Sequence, residues 1–402
     1  MMAGEAQDGG FDERMLDEML AEAHDAAPMD LPLLVGRLAG IIGVERIDVY
    51  LVDLQQRFLV PLVPLVNGRP TLDIDSTMAG RTYRTLTLRI EESPHDRLTA
   101  WLPLVDGAER LGVLGVSAVR IDSVVLRRCR ILASLLAMVI TSKRAYSEAF
   151  ARLTRRETMR LPAELVRAFL PPRSIANLRA SSTAVLEPAY QLGGDAFDHS
   201  LTESTLHATI FDAMGHNLAS GLATAVSMAA CRSARRAAAD LPEMVESVDR
   251  ALARWLPEQY CTGVLAQLDT DEGILRWCNC GHPPPLLIRD ERVLEGALER
   301  PPEPPMGMPS ELFDGARTVH EERLRPGDRV LLYTDGVTES RIVGDVQLGL
   351  QRFTDSIIRA TAAGTVPAEA LRQLIHSLLD RQQDALRDDA TLLLVEWRAP
   401  SA

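Results

Sequence analysis

Apolar and polar positions divide the chain into a strand-rich N-terminal part, a helical middle and a strand-rich C-terminal part. The N-terminal part begins with an apolar run at helical spacing, LPLLVGRLAGIIGV, which predicts a helix from Leu31. Short runs of branched apolar residues, separated by turn residues, follow it and predict strands. They are IDVYLVD, FLVPLVPL, LTLRI, TAWLPLV and LGVLGVSAV.

Residues 123–160 contain neither Gly nor Pro and keep apolar side chains at helical spacing. The pattern predicts one connecting helix, which is longer than most helices of globular proteins. A single helix in water cannot cover its own apolar stripe, so we predict that two chains pair along it as a homodimer. Pro162, and then Pro171 and Pro172, mark the end of the helical stretch.

The C-terminal part mixes strands with further helices. HATIFDAMGHN predicts a strand that ends at Asp212, and the apolar spacing predicts helices over Leu218–Arg236 and Leu241–Trp255. A late helix in VPAEALRQLIHSLLDRQQDALRDD leads to Asp388. The Pro-rich stretch 301–310 is typical of a surface loop.

Composition indicates a soluble protein of two or three domains. The chain has 402 residues, of which 46% are hydrophobic and 25% charged. Its net charge of −13 argues against a nucleic-acid binder. No run reaches the roughly 18 uncharged apolar residues of a membrane span, and the N-terminus has no secretion-signal pattern. We therefore predict a cytoplasmic protein with no membrane span and no nucleic-acid partner.

Two local features of composition change this picture little. Residues 1–30 hold nine acids against one base, Arg14, so the segment 1–29 is predicted to be either a short amphipathic helix or a solvated acidic tail. The five cysteines are odd in number and do not predict a disulfide scaffold. Cys278 and Cys280 have no second pair to complete a zinc site, so we interpret them as small strand residues.

The order of helix, strands and long helix resembles a GAF sensor domain followed by a signalling helix. The resemblance places a GAF-like α/β domain at 30–145 and a helical linker at 146–174. It implies a module that binds a small ligand, such as a cyclic nucleotide, tetrapyrrole or haem, or that serves in dimerisation. The strand-rich part holds no Cys and one His, His95, so we assign it no cofactor and leave an unknown small ligand open.

Four strand ends in the C-terminal part each present an acid beside Gly or another Asp. In QLGGDAFDHS, two glycines that allow the backbone to bend closely precede the acid. Carboxylates that gather at converging strand ends repel one another, and their burial is costly. Hard divalent cations remove this penalty, and two of them can clamp a phosphoryl group for attack. The acids are Asp195, Asp212, Asp335 and the pair Asp388 and Asp389.

The motifs GGDAFD, FDAMGHN, NCGHPPPLL, YTDGVTES and DDAT, in this order, resemble the metal-dependent protein phosphatase (PPM, type 2C) superfamily, within it the sporulation-protein-IIE-type phosphatases. The resemblance covers residues 175–398. It implies an α-β-β-α sandwich, so the whole chain is predicted to be α+β. It also implies a phosphoserine/phosphothreonine phosphatase that uses two Mn²⁺ or Mg²⁺ ions.

The same resemblance implies a role for each acid. Asp195 would bridge both ions, and Asp212 would bind one of them together with the backbone carbonyl of Ala213. Asp335 and Asp388 would complete the other site. Asp389 is the alternative ligand if the placement differs by one residue.

The proton donor is left open between two histidines. His216 or His282 would protonate the leaving serine oxygen, since imidazole titrates near neutrality. Each is equally compatible with a turn histidine bonded to backbone. Asp198 is predicted to close a local turn, with an outer role at the metal site as the alternative.

Three positions depart from the family pattern, at Ala196, Asn217 and Cys280, and none of them removes an acid. We therefore predict an active, signal-regulated phosphatase. The resemblance implies a phosphorylated anti-sigma-factor antagonist as its substrate in a partner-switching pathway. A non-catalytic scaffold of the same fold that binds a regulator is the alternative, and a phosphatase of a small second messenger is a further one.

Overall fold

The computed structural model describes residues 17, 19–62, 69–93, 96–215, 217–301, 303–308, 317–337, 354–359, 364–381 and 388–398. The chain forms two compact units, Met1–Glu157 and Thr158–Ala402. Their boundary falls inside the predicted linker 146–174. The predicted acidic segment 1–29 lies mostly outside the described residues.

The N-terminal unit is built on one antiparallel sheet of six strands in the order β3-β2-β1-β6-β5-β4. The strands are β1 (Arg46–Val52), β2 (Phe58–Pro61), β3 (Leu72–Asp73), β4 (Arg89–Ser93), β5 (Arg97–Asp106) and β6 (Glu109–Ala118). The helices whose bounds are fully described are α1 (Leu31–Ile42), α2 (Met78–Thr85), α3 (Ser123–Arg144) and α4 (Ala149–Thr154).

All five apolar runs of the N-terminal part contain strand, as predicted, although LTLRI enters β4 only at its last two residues. Residues 63–68, which include the end of FLVPLVPL, lie outside the described residues. Helix α2 and strand β3 were not predicted, because their mixed polar sequence carries little periodicity. The GAF-like identity of this unit stays a prediction.

The prediction of one helix over 123–160 is wrong. Asp122 caps α3 through bonds from the N–H groups of Val124 and Val125, and the helix ends at Arg144. Near that end, the buried Lys143 donates to the Ala26 carbonyl at 2.5 Å. The chain then turns, and a separate short helix, α4, follows. Residues 155–160 are not helical.

The apolar stripe of α3 is covered within its own unit. Leu132, Leu136 and Ile140 are fully buried and belong to one hydrophobic cluster with residues of α1 and of the sheet. The stripe therefore gives no reason for two chains to pair, and the homodimer stays a prediction without this support. None of the described helices is long and apolar enough to cross a membrane.

The C-terminal unit stacks two antiparallel sheets between helices. One sheet has the order β15-β12-β11-β10-β9 and the other β14-β13-β16-β17-β8-β7. The strands are β7 (Ser174–Ala176), β8 (Ala180–Glu187), β9 (Asp195–Leu201), β10 (Thr205–Ala213), β11 (Cys261–Asp269), β12 (Ile274–Cys280), β13 (Leu286–Arg289), β14 (Arg292–Leu294), β15 (His320–Arg323), β16 (Arg329–Tyr333) and β17 (Ala390–Trp397).

Helices cover both outer faces of the two sheets. They are α5 (Leu161–Phe169), α6 (Leu218–Arg236), α7 (Leu241–Trp255) and α8 (Pro367–Arg381). Helices α6 and α7 pack on the five-stranded sheet, and α8 packs on β8 and β17 of the other. This arrangement confirms the predicted α-β-β-α sandwich and the α+β class. The predicted bounds of α6 and α7 are also confirmed.

Strand β17 shows why a strand of the six-stranded sheet can have a continuous run of apolar residues. Leu393 and Val395 belong to the core cluster that also holds residues of the five-stranded sheet. Leu392 and Leu394 belong to a second cluster, with residues of α8. Because both faces of this strand are buried, its sequence has no polar alternation.

The prediction that Asp198 closes a local turn is wrong. Asp198 lies inside β9, and its side chain is 1% exposed. It accepts hydrogen bonds from Arg232 and Arg235 on α6. Arg232 also donates to the carbonyl of Phe169 at the end of α5. A buried carboxylate shared by two guanidinium groups thus fixes α6 against the sheet, since a charge at this depth must be paired.

The prediction of a surface loop over 301–310 is wrong for its described central part. Met306 is fully buried and exchanges backbone hydrogen bonds with Cys261 at the start of β11. Arg317 donates to the carbonyl of Pro304 and forms an ion pair with Asp249. Composition suggested exposure, but backbone pairing and one buried methionine hold the segment on the core.

The packing of α3 can be tested with two substitutions two residues apart. Leu136→Ala should lower the free energy of unfolding by about 2–5 kcal/mol, because it leaves a cavity in a filled core. Met138→Ala is the control, because Met138 is 53% exposed and its truncation should change stability by about 0.5 kcal/mol or less. Urea unfolding followed by circular dichroism measures both. Equal losses of unfolding free energy in the two variants would contradict the burial of the α3 apolar stripe within the unit.

Candidate active site

A carboxylate holds the double-glycine loop from the opposite sheet. Asp389 Oδ2 accepts the backbone N–H groups of Gly193, Gly194 and Asp195 at 2.7, 2.7 and 3.2 Å. Asp389 precedes β17, whereas the loop leads into β9, so this contact joins the two sheets at one end. It gives Asp389 a structural role beside its prediction as the alternative metal ligand.

Gly194 is required by the close approach of two backbone segments. A Cβ atom at this position would lie 2.3 Å from the carbonyl oxygen of Ala213 and 2.7 Å from that of Gly215. The Ala213 N–H donates to the Gly194 carbonyl at 3.1 Å, and the Thr224 hydroxyl donates to the same oxygen. The absence of a side chain therefore lets the loop lie directly on the end of β10.

Asp195 is the buried centre of the acids. It is 2% exposed and is the cross-strand neighbour of Asp212 at the ends of β9 and β10. Burial, together with the nearby carboxylates of Asp212 and Asp389, holds the pKa of Asp195 well above its usual range. Its Oδ2 accepts hydrogen bonds from the hydroxyls of Thr334 and Thr391 at 2.6 and 2.7 Å.

The other two predicted acids lie on the loops that reach Asp195. Asp335 begins the 3₁₀ turn Asp335–Val337, directly after Thr334. A Cβ atom on Gly336 would lie 1.9 Å from the carbonyl oxygen of Asp389, so this turn touches the loop that carries Asp388. Asp388 is exposed and accepts the N–H of Asp389 at 2.9 Å. Both loops therefore meet at the buried carboxylate.

The donor set fits hard divalent cations. Carboxylates and a backbone carbonyl are oxygen ligands, and the close acids leave a negative charge that a cation would neutralise. Among the described residues, however, no three His, Cys, Asp or Glu side chains group tightly enough in this conformation to hold a metal ion. The backbone brings the predicted ligands together, and the metal roles of Asp195, Asp212, Ala213, Asp335, Asp388 and Asp389 stay predictions.

His282 has a structural position and does not fit the role of proton donor. Its Nε2 lies 3.0 Å from the carbonyl oxygen of Tyr333, to which it must donate, so Nδ1 accepts from the Thr262 hydroxyl at 3.0 Å. Burial lowers the pKa of His282 to about 4. The imidazole is therefore neutral near pH 7 and joins β11 to β16. His216, the other predicted donor, lies outside the described residues.

Cys278 and Cys280 are buried free thiols within β12, as interpreted from the sequence. Burial raises the pKa of Cys278 to about 12 and raises that of Cys280 as well. Both thiols are therefore protonated at neutral pH.

A family model matches the segment that holds most of these acids. Residues 202–398 match the model of stage II sporulation protein E (SpoIIE). Most of the C-terminal unit therefore matches the SpoIIE family model. The match includes Asp212, Asp335 and Asp388, and Asp195 lies just before it. This confirms the family recognised from the motifs, while the GAF-like part stays a prediction.

Solved structures that match part of this chain come from several bacteria. The RsbU and RsbW domains of Rv1364c from Mycobacterium tuberculosis are 27% identical, with a TM-score of 0.47 and coverage of 56% of this chain and 63% of that one. The SiaA-PP2C domain of Pseudomonas aeruginosa is 21% identical, with a TM-score of 0.47 and coverage of 59% and 94%. A SpoIIE fragment from Bacillus subtilis is 13% identical, with a TM-score of 0.46 and coverage of 79% and 84%.

A curated relative covers a smaller part of the chain. Protein IcfG from Synechocystis sp. is 26% identical over 136 residues, which are 34% of this chain and 20% of that protein. The chain therefore spans only a fifth of the length of this relative, and the SpoIIE match concerns the C-terminal unit alone.

The sequence patterns did not single out Thr334 and Thr391 as site residues. Each stands beside an acid in a motif that was recognised, YTDGVTES and DDAT. The signal was therefore present, but threonine in a strand is common for reasons of packing. Only the fold shows that both hydroxyls reach the same carboxylate.

The neutral state of His282 predicts a dependence of stability on pH. The pKa of His282 is lowered to about 4, so below pH 6.5 the unfolded chain binds a proton that the folded chain does not. The contribution of neutral His282 to the free energy of unfolding is complete above pH 6.5. It is lost as the pH falls toward 4, which lowers the free energy of unfolding by about 3 kcal/mol at most. Urea unfolding between pH 7 and 4 measures it.

His282→Gln is the matched variant, since a glutamine amide can donate a hydrogen bond but does not titrate. It should lower stability at pH 7 by about 1–3 kcal/mol and should show a weaker loss between pH 6.5 and 4 than the native chain. His199, which is also buried with a pKa of about 4, keeps its own contribution in this variant. The same pH dependence in both proteins would contradict a neutral, buried His282.

Proposed function

We propose that the C-terminal unit hydrolyses phosphoserine and phosphothreonine monoesters with two Mn²⁺ or Mg²⁺ ions. The observation that carries this proposal is the buried carboxylate of Asp195, near which segments from both sheets bring four further acids, Asp212, Asp335, Asp388 and Asp389. A charged carboxylate at this depth is costly unless it is paired, hydrogen-bonded or bound to a metal ion. The Asp195 carboxylate instead accepts hydrogen bonds from two neutral hydroxyls, which leaves its charge for a bound cation.

Each acid has a place in this proposal. Asp195 and Asp212, with the backbone carbonyl of Ala213, would hold the ions together with Asp335 and Asp388. When bound, the ions supply an activated water and neutralise charge on the phosphoryl group.

Asp389 and His216 have the remaining roles, which are to hold the loop and to donate a proton. The contacts of Asp389 fix the loop at Gly193–Asp195, so the site needs little rearrangement of backbone. His216 donates a proton to the leaving serine oxygen, because His282 has both ring nitrogens engaged.

The proposed substrate is a phosphorylated anti-sigma-factor antagonist protein in a partner-switching pathway. The SpoIIE family match and the likeness to an RsbU domain support this class of substrate. We propose further that the N-terminal unit is a GAF-like regulatory module, with an unknown small ligand, and that the protein acts in the cytoplasm as a homodimer.

A non-catalytic scaffold is the second candidate function. It would keep the sandwich and bind a regulator without turnover. The presence of all four strand-end acids favours the enzyme, because a scaffold gains nothing from the cost of burying Asp195. Hydrolysis of para-nitrophenyl phosphate with Mn²⁺ separates the two, and a purified, folded chain without turnover with either ion would favour the scaffold.

Removal of single carboxylates tests the metal assignment. Asp195→Asn and Asp335→Asn should each lower kcat for para-nitrophenyl phosphate by at least a hundred-fold, since a transition-state electrostatic contact is typically worth this much. Both should also weaken Mn²⁺ binding in calorimetry while the circular dichroism spectrum is retained. Glu203→Gln is the control, because Glu203 is exposed in the β9–β10 hairpin, at the other end of these strands. Normal Mn²⁺ binding and turnover by either site variant would contradict the assignment.

The leaving group of the substrate tests the role of His216. His216→Ala should slow hydrolysis of a phosphoserine peptide by about a hundred-fold or more, since its alkoxide must be protonated. Para-nitrophenolate leaves without a proton, so its release should be nearly unchanged. Parallel steady-state assays at saturating Mn²⁺ compare the two. Equal losses on both substrates would indicate a structural histidine.

A further inference from the structure

Two threonine hydroxyls bond to one oxygen of the central carboxylate. Thr334 Oγ1 and Thr391 Oγ1 lie 2.6 and 2.7 Å from Asp195 Oδ2. Both threonines are fully buried, and Asp195 is 2% exposed. Water therefore has little access to replace either hydroxyl, and the two bonds fix how the carboxylate is rotated about its last torsion angle.

The direction of these bonds is set by a second network. The Thr391 N–H donates to Thr334 Oγ1 at 2.9 Å, and the Thr334 N–H donates to the Thr391 carbonyl at 3.1 Å. Since Thr334 Oγ1 already accepts a hydrogen bond, its own proton is available for the carboxylate. An ionised carboxylate can only accept, so both hydroxyls donate to Asp195.

Neutral donors suit a carboxylate that must bind cations. An arginine or lysine at these positions would satisfy Asp195 equally well, but it would also neutralise the charge that attracts a metal ion. Hydroxyls orient the oxygen and offset part of its desolvation without a positive charge. The Asp198 carboxylate shows the contrast, because it is bonded to two arginines and serves as a structural anchor.

The same threonines connect the metal-site loops. Thr334 directly precedes Asp335, and Thr391 follows Asp389 by two residues. A substitution of either threonine therefore alters the contacts of the Asp195 carboxylate and of the loops that carry the other acids.

We propose that Thr334 and Thr391 are positioning residues that hold the Asp195 carboxylate in the orientation that binds divalent metal ions. This inference rests on the proposed metal-dependent function. It assigns no chemistry to the hydroxyls themselves, which act through Asp195.

The test uses the full chain and Mn²⁺ as the probe. Thr334→Val and Thr391→Val keep the shape of the side chain and remove the hydroxyl. Each should weaken Mn²⁺ binding about ten-fold to a hundred-fold in isothermal titration calorimetry, as expected for loss of a hydrogen bond to a charged group. The conservative variants Thr334→Ser and Thr391→Ser keep the donor and should bind Mn²⁺ within about three-fold of the native chain.

Thr270→Val is the matched control. Thr270 is a fully buried threonine of the same unit, and its hydroxyl has no hydrogen-bond partner within the described structure. Its replacement should leave the Kd for Mn²⁺ unchanged. Thermal unfolding in EDTA reports any general loss of stability, so the comparison is made at a temperature where every variant is folded.

Three outcomes decide the inference. Weaker binding in the valine variants, recovery with serine and an unchanged Thr270→Val support it. Valine variants that bind Mn²⁺ within two-fold of the native chain overturn it and leave the proposed function intact. A native chain that binds neither Mn²⁺ nor Mg²⁺ overturns the proposed function and this inference together.

Discussion

The contact between Asp389 and the loop Gly193–Asp195 is the constraint on which the rest of the candidate site depends. Three backbone N–H groups converge on one carboxylate oxygen, and each of them would otherwise be a buried donor without a partner. The carboxylate comes from the six-stranded sheet and the loop from the five-stranded sheet. The contact therefore joins the two sheets at the end where the acids gather and where Asp195 is buried.

Burial of Asp195 has a cost that the rest of the site offsets only in part. Its raised pKa shows that desolvation and the neighbouring acids outweigh the two threonine hydroxyls. A stable protein tolerates such a group where function requires it, since perturbed carboxylates concentrate at functional sites. The fold supplies the necessary rigidity elsewhere, through the buried Asp198 with its two arginines and through His282 between β11 and β16.

Much of this architecture could be predicted from the sequence, because α6, α7 and the buried strands have strong periodicity. The failures share a physical cause. Periodicity does not register the end of α3 at Arg144, and composition does not register the buried Met306 in a Pro-rich segment. The acids could be found as motifs, but the pairing of Asp198 with α6 and the hydroxyl contacts of Asp195 are long-range contacts, which only the folded chain defines.

The packing of α3 would also limit how any regulatory signal in the N-terminal unit could act. A mechanism that re-pairs this helix with a second chain would first expose its stripe, and each buried leucine contributes about 1.5–3 kcal/mol by burial. Leu132, Leu136 and Ile140 together exceed the 1–3 kcal/mol that typical allosteric coupling supplies. A ligand signal of ordinary strength must therefore leave α3 on its sheet. It follows that any coupling to the phosphatase domain uses elements whose rearrangement exposes less apolar surface.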